Sequence, residues 1–359
     1  MKKGTMLLPG ELQASRRRFI QRSGSIAALI SCPSIIGRAL AAEPLYVNTW
    51  GGKWEESAQK YWFKAFTAKT GIEVRTISPV SYAKLAAQTR TGTYDFDVTT
   101  VSGSQVIQAE AERLLEPLDP TIIDASSLPA GSILHNAVAS HCYSTNLAYN
   151  TKRYERGRLT SWQDAWDLEK NPGPRSFTRS ATDYVPIGLM GDGVAQAKLY
   201  PPDIDRMFKS YDKIKKAIPV WWTQSPQSRQ LLGDGEVHIA SMWHSVAELA
   251  KADGVPIDYI WNGAKINRVY WVISKGTPRA KAAWEFIKLA IAPENLGPFG
   301  ATQYLGPLYP KALEYVPEAQ ARNMPTHPDN YKHCVEEDAD AIGPMLTDIT
   351  KRFNMWVAS

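Results

Sequence analysis

"LYVNTWGGKWEESAQKYWFKAFTAKTGIEVRTI", residues 45–77, decides how the rest of the chain is read. It opens on a short β-prone run, Leu45 to Trp50, and turns at Gly51-Gly52, where the missing side chains leave the backbone open to close approach. From Ser57 to Lys69 the apolar residues Ala58, Tyr61, Trp62, Ala65 and Phe66 recur at i, i+3, i+4, i+7 and i+8. That is the period of a helix with one buried face. Gly71 follows as the helix stop, and Ile72 to Ile77 returns to a strand pattern.

The same alternation continues outward. Tyr82 to Thr89 reads as helix, Phe96 to Val101 as a buried strand, and Ser102-Gly103-Ser104 opens a helix through Glu112. This β-α-β-α-β order predicts a parallel or mostly parallel sheet. Further along, "STNLAYN" (144–150), "IDYIWN" (257–262) and "VYWVIS" (269–274) read as strands. Pro278 to Ala290 reads as a helix with Ala283, Phe286, Ile287 and Ala290 inward. Segments between 161 and 250 are helical or mixed, the trailing region is helical and punctuated by proline, and no repeat or low-complexity tract occurs.

Residues 1–41 carry the marks of an export signal. Lys2, Lys3 and Arg16 to Arg18 form a basic region, Ile26 to Ile36 an apolar run, and Ala39-Leu40-Ala41 a small-x-small cleavage site. The apolar run falls short of the about 20 residues that span a bilayer. Ser15-Arg16-Arg17-Arg18-Phe19-Ile20 resembles a twin-arginine signal, which is an address and not an anchor. A disordered basic tail is the alternative. Lipidation at Cys32 is a third reading, against which Pro33 stands.

The chain holds 41 basic and 36 acidic residues, of which seven basic and one acidic lie in residues 1–41. The remaining 318 residues therefore carry 34 against 35, a net charge of −1. The basicity belongs to the leader, and no basic stripe remains to suggest nucleic acid. Cys142 and Cys334 are left, and an oxidising compartment permits them to pair or to stay as buried thiols.

The quoted stretch, read together with five later ones, resembles the bacterial extracellular solute-binding proteins that serve ABC importers, and within them the polyamine-receptor-like group. The later stretches are "YDFDVTTVSGS" (94–104), "LAYNTKRY" with "SWQDAWDLEKNPGPRSF" (147–177), "LLGDGEVHIASMW" (231–243), "WVISKGTPRAKAAWEFIKLAIAPE" (271–294) and "QYLGPLYPKALEYVPE" (303–318). The resemblance spans about residues 45–345. It implies the two-lobe type II periplasmic-binding-protein fold, each lobe a mostly parallel sheet flanked by helices, with the ligand cleft between. The expected lobes are 42–148 plus 271–305 and 149–270 plus 306–359, with crossings near Tyr149, Tyr270 and Tyr304. It further implies a periplasmic receptor that closes about its hinge on a small organic solute. The expected partners are that solute and the permease subunits of an importer, with the receptor a monomer and without cofactor or metal.

Cleft aromatics bury large area at low entropy cost. By resemblance, Trp50, Trp243 and Tyr304 match pocket aromatics, Gly51 and Gly52 let a ligand approach, and Tyr270 and Trp271 sit at the second crossing. Ordinary core is the alternative reading of each aromatic. Ser102 and Ser104 concentrate hydroxyls at a helix start, where they cap the helix or meet an anionic ligand group. Asp183 matches a family acid that anchors ammonium. Two further family acids are matched by Ser180 and Val269, the latter beside Arg268, which argues against a long polyamine and for a ligand bearing a carboxylate, with or without an amine. His244 would add a donor.

Other readings are weaker. Ser57-x-x-Lys60 and Lys69-Thr70-Gly71 mimic pieces of a serine acyltransferase set, but one helix and its end hold both. No G-x-S-x-G, H-E-x-x-H or P-loop string occurs. His238 and His244 are six apart on a predicted strand and its exit, His135/His141 and His327/His333 share that spacing without carboxylate company, and the adjacent tyrosines of ferric-ion receptors are missing. A secreted enzyme and a metal or ferric-ion receptor remain the alternatives on this fold, and a structural or adhesive role is disfavoured by the lack of repeats.

Overall fold

The computed structural model describes residues 43–359, so the export-signal reading of residues 1–41, including Cys32, lies outside the described residues. The helix expected from Ser57 to Lys69 begins earlier, at Gly52, and runs to Thr70 through a π-wound segment, Gln59–Phe63. The wider turn lets Trp62 and Phe63, adjacent in sequence, both reach the core beside Trp54, Ala58 and Phe66. Gly71 ends the helix in the left-handed conformation at φ 74°. Ser81 caps the next helix, Tyr82–Thr91, by accepting from the Lys84 amide at 3.3 Å.

Twelve strands form one sheet among the described residues. They are β1 (Leu45–Asn48), β2 (Val74–Ile77), β3 (Val98–Ser102), β4 (Ile133–Leu134), β5 (Ala137–Asn150), β6 (Arg175–Thr178), β7 (Val220–Trp222), β8 (Ile239–Trp243), β9 (Ile257–Tyr259), β10 (Lys265–Ile273), β11 (Gly306–Pro307) and β12 (Val335–Glu336). The order is β2-β1-β3-β10-β5-β8-β6-β7, with β4, β9 and β11 on β5 and β12 on β10. β1 runs parallel to β2 and β3, and β6 parallel to β7 and β8, as the alternation of strand and helix requires. The two halves are joined by β5 and β10, which run antiparallel to each other and to β8 and β3.

Each half buries its own core on both faces of the sheet. In the first lobe, Trp62, Trp271, Trp284, Phe286 and Phe299 fill one face, and Leu85, Phe96, Val106 and Val272 the other. In the second, Trp162, Phe177, Tyr184, Tyr211 and Phe353 fill one face, and Leu232, Val237, Met242 and Ala247 the other. The chain passes between lobes inside β5 and inside β10, both unbroken strands. Leu305, Tyr309 and Ala312 pack in the first lobe's core, whereas Val335, Ile342 and Phe353 pack in the second's. The third crossing therefore lies after Met324, which packs with Ala301 and Val316, and not near Tyr304.

Two further features hold the first lobe. Asp97 is fully buried and accepts from the Tyr46 amide and the Arg279 Nε, each at 2.8 Å, and from the Thr277 hydroxyl. It ties β1 to the segment that follows β10. Cys142 and Cys334 are both free thiols.

Candidate ligand-binding site

Where β5 and β10 run between the lobes beside the end of β8, their side chains are polar and yet buried. Thr145 lies opposite both Trp243 and Lys265, and Tyr143 lies opposite Asn267. Directly opposed residues share a face, and so do residues two apart on one strand. Five side chains from three strands, Tyr143, Thr145, Trp243, Lys265 and Asn267, thus project to one side. Asp183, in the first turn of the helix Ala181–Gly191, meets them there.

A chain of hydrogen bonds links the group. Asn267 Nδ2 donates to Asp183 Oδ1 at 3.0 Å and to Thr145 Oγ1 at 3.1 Å. Lys265 Nζ donates to Asn267 Oδ1 at 2.6 Å and to Glu337 Oε2 at 2.7 Å. Glu337 Oε1 in turn accepts from the Ser104 amide at 2.9 Å, at the start of the helix Gly103–Ala111. The Tyr143 ring packs on Trp243 with centroids 4.9 Å apart, and Trp243 meets Trp222 edge-on at 5.9 Å.

The group is electrostatically incomplete. Two carboxylates face one ammonium. Asp183 is 1% exposed, and its Oδ2 has no hydrogen-bond partner. Burial raises its pKa, opposed by Lys265 and by the hydrogen bond from Asn267. Burial likewise pushes Tyr143 and Tyr200 well up, with Asp183 and Glu337 adding to both. The Tyr200 hydroxyl and the Trp243 Nε1 are buried donors without partners in hydrogen-bond geometry. Leaving such groups unpaired costs about 1–3 kcal/mol each. One free acceptor and two free donors are complementary to a ligand that carries both an ammonium and an acceptor.

The expected site residues divide. Trp50 stands 51% exposed at the end of β1 and donates from Nε1 to Thr100 Oγ1 at 3.2 Å. Gly51 and Gly52 follow it at φ 74° and 52°, a turn that a Cβ would strain. Asp183 and Trp243 fall in the polar group. Ser102 is a helix cap in a reciprocal capping box with Gln105. The Ser104 amide is already taken by Glu337, so this helix start does not offer that donor to an anionic ligand. His244 is buried, its Nε2 pairs with the Asn323 carbonyl at 2.6 Å, and burial lowers its pKa to about 4. The neutral ring has spent its N–H there, and its Nδ1 is an unpartnered acceptor rather than the donor expected. Tyr304 ends the helix Pro293–Gln303 in the left-handed conformation at φ 52°.

Tyr270 and Trp271 lie apart from the polar group. Adjacent residues on β10 point to opposite faces, and both faces are core there. Trp271 is fully buried among Trp54, Trp62 and Phe286, and Tyr270 packs with Val101, Val106 and Val272. Arg268 also points away from the polar group and pairs with Glu336 at 2.7 Å. The cation that enters the group is Lys265. Tyr143, Thr145, Tyr200, Lys265, Asn267 and Glu337 escaped the sequence reading. The alternation Lys265-x-Asn267-x-Val269 ahead of an apolar strand was the one available signal. Two open surface hollows, of about 410 and 580 Å³, lie elsewhere and share no residue with the group. Among the described residues no cluster of three or more His, Cys, Asp or Glu side chains is placed to hold a metal ion. No helix there is long and apolar enough to cross a membrane.

Comparison with known proteins gives this arrangement a context. Residues 61–326 match the profile of a family described as bacterial extracellular solute-binding protein. The chain is 28% identical over 345 residues to a gamma-aminobutyric acid-binding protein of Pseudomonas aeruginosa, covering 92% of this chain and 97% of that one. It is 24% identical to a spermidine/putrescine-binding periplasmic protein of Escherichia coli over 63% of this chain and 66% of that one. Among solved structures, a GABA receptor superposes with a TM-score of 0.81 at 29% identity, covering 88% of this chain and 97% of that one.

Proposed function

Since the chain belongs to the bacterial extracellular solute-binding protein family, we propose that its two lobes close on a small solute bearing one ammonium and one carboxylate, of the ω-amino acid type, and present it to an ABC importer from the periplasm. The observation that carries this reading is the buried, unpartnered Oδ2 of Asp183 in the polar group that also holds the paired rings of Tyr143 and Trp243. Ion pairing and an aromatic face reinforce each other at an ammonium. Tyr200 and the Trp243 indole supply donors for the ligand's carboxylate. Trp50 stands on the opposite lobe as the covering aromatic. The GABA-binding relative supports the ligand class.

Closure follows from the fold. β5 and β10 cross between lobes without a break, so small changes along them move one lobe against the other. The ligand favours the closed arrangement by its higher affinity for it. Residues 1–41 deliver the receptor to the periplasm by the twin-arginine route, and it works there as a monomer without catalysis.

Calorimetric titration with GABA, putrescine, spermidine and simple carboxylates tests the proposal. GABA or a close homologue binds one to one and is recovered unchanged. Conversion of the bound compound would make the protein an enzyme, and failure of every amine to bind would overturn the reading.

A further inference from the structure

We infer that Lys265 is a specificity residue: its ammonium, held between Glu337 and Asn267 next to Asp183, fills the place that the second ammonium of a diamine would take. The inference rests on the reading of the cleft as an amine site and adds to it a rule of selection. The cleft accepts one cationic end and rejects two.

Both Glu337 oxygens already have a protein partner, Oε2 accepting from Lys265 and Oε1 from the Ser104 amide, whereas Asp183 Oδ2 has none. Asp183 Oδ1 is taken by Asn267, which leaves Asp183 Oδ2 as the one carboxylate oxygen of the pair open to a ligand. Lys265 is 0% exposed and the Glu337 side chain 9%, so solvent does not screen a second cation brought beside Lys265. Lys265 starts β10 and lies opposite Thr145, so its stem is fixed by the strand and its head cannot swing into water without leaving Glu337 unpaired. Removal of the lysine head would leave a buried carboxylate without its cation. The far ammonium of a diamine anchored on Asp183 would then restore the pair.

The test uses calorimetry with GABA, butylamine and putrescine on the wild-type protein, on Lys265→Ala and on Lys265→Met/Glu337→Gln. Wild type binds GABA and takes putrescine at least about thirtyfold more weakly than GABA. Lys265→Ala gains at least about thirtyfold for putrescine, the scale set by truncating one partner of a buried charge pair. The double variant, with no carboxylate left at position 337 to satisfy, shows no such gain. Wild-type putrescine binding as tight as GABA would overturn the inference while leaving the receptor reading intact. So would a Lys265→Ala protein that melts cooperatively, binds GABA and gains nothing for putrescine. Should Lys265→Ala not fold, the wild-type comparison decides. Putrescine must bind more weakly than butylamine, because its second ammonium meets Lys265, and equal or tighter binding refutes the assignment. Absence of binding by all three compounds would overturn the amine reading itself.

Discussion

Asp183→Asn separates what the site costs the empty protein from what it gives the loaded one. The substitution keeps the side-chain shape and the Oδ1 acceptor that Asn267 uses, and it removes the charge. Burial raises the Asp183 pKa, so the folded state holds the proton more tightly than the unfolded chain does. The resulting stability is present below the ordinary carboxylate value of about 3.9. It is lost as pH rises through the raised folded value. Above that raised value the empty wild-type protein has lost it, and Asn has not. Asn leaves an unpartnered Nδ2 where Oδ2 stood, so only the buried charge is relieved; about 1 kcal/mol from that relief raises the unliganded Tm by roughly 1–2 °C in a protein of this size. Ligand affinity moves the other way. Loss of a buried partner to an ammonium costs about 2–5 kcal/mol, from about thirtyfold to several thousandfold in Kd. In the wild type, proton and ammonium compete for one carboxylate, so affinity falls as pH drops through the raised value. Thermal melts with and without GABA, together with titration across pH, read both effects. Binding by Asp183→Asn within about threefold of wild type, or a lowered unliganded Tm, would refute the reasoning.

Three other outcomes follow from the same geometry. Trp50→Ala leaves stability within about 0.5 kcal/mol, because the side chain is half exposed. It weakens the ligand by about threefold to thirtyfold if the ring covers the ammonium, and an unchanged Kd removes Trp50 from the site. His141 and His244 are buried neutral, with pKa values lowered to about 3 and about 4. Their contribution is therefore present above about 6.5 and lost as pH falls below it. The urea midpoint drops between pH 7 and 5, and His244→Gln shallows that slope. Asp97→Ala leaves Arg279 and the Tyr46 amide without their buried acceptor, and it costs about 3–5 kcal/mol in denaturant unfolding. A loss under 1 kcal/mol would show water replacing the carboxylate.

The helix after Trp50 was legible because five apolar residues recur at helical spacing and Gly71 must stop it, and the structure ends it there. Its early start at Gly52 and its π-wound middle were not, since both answer to packing against Phe299 and Trp271. "STNLAYN" and "VYWVIS" were recognised, but each is only part of a longer strand. The other halves, Ala137 to Tyr143 and Lys265 to Arg268, contain Ser140, His141, Lys265 and Asn267, all buried. Buried polar residues of this kind break the alternation by which a strand is read.

The sequence alone determined the α/β architecture and the kind of protein, because local periodicity, turn residues and six stretches in order are properties of neighbours along the chain. It also marked Asp183 and Trp243. The tertiary structure decided the site. Tyr143, Lys265 and Glu337 lie far apart in sequence and become partners where β5, β10 and the segment after β12 meet between the lobes. A buried lysine is charged and tolerable only beside its carboxylate. That pairing is a fact of space, and no pattern along the chain encodes it.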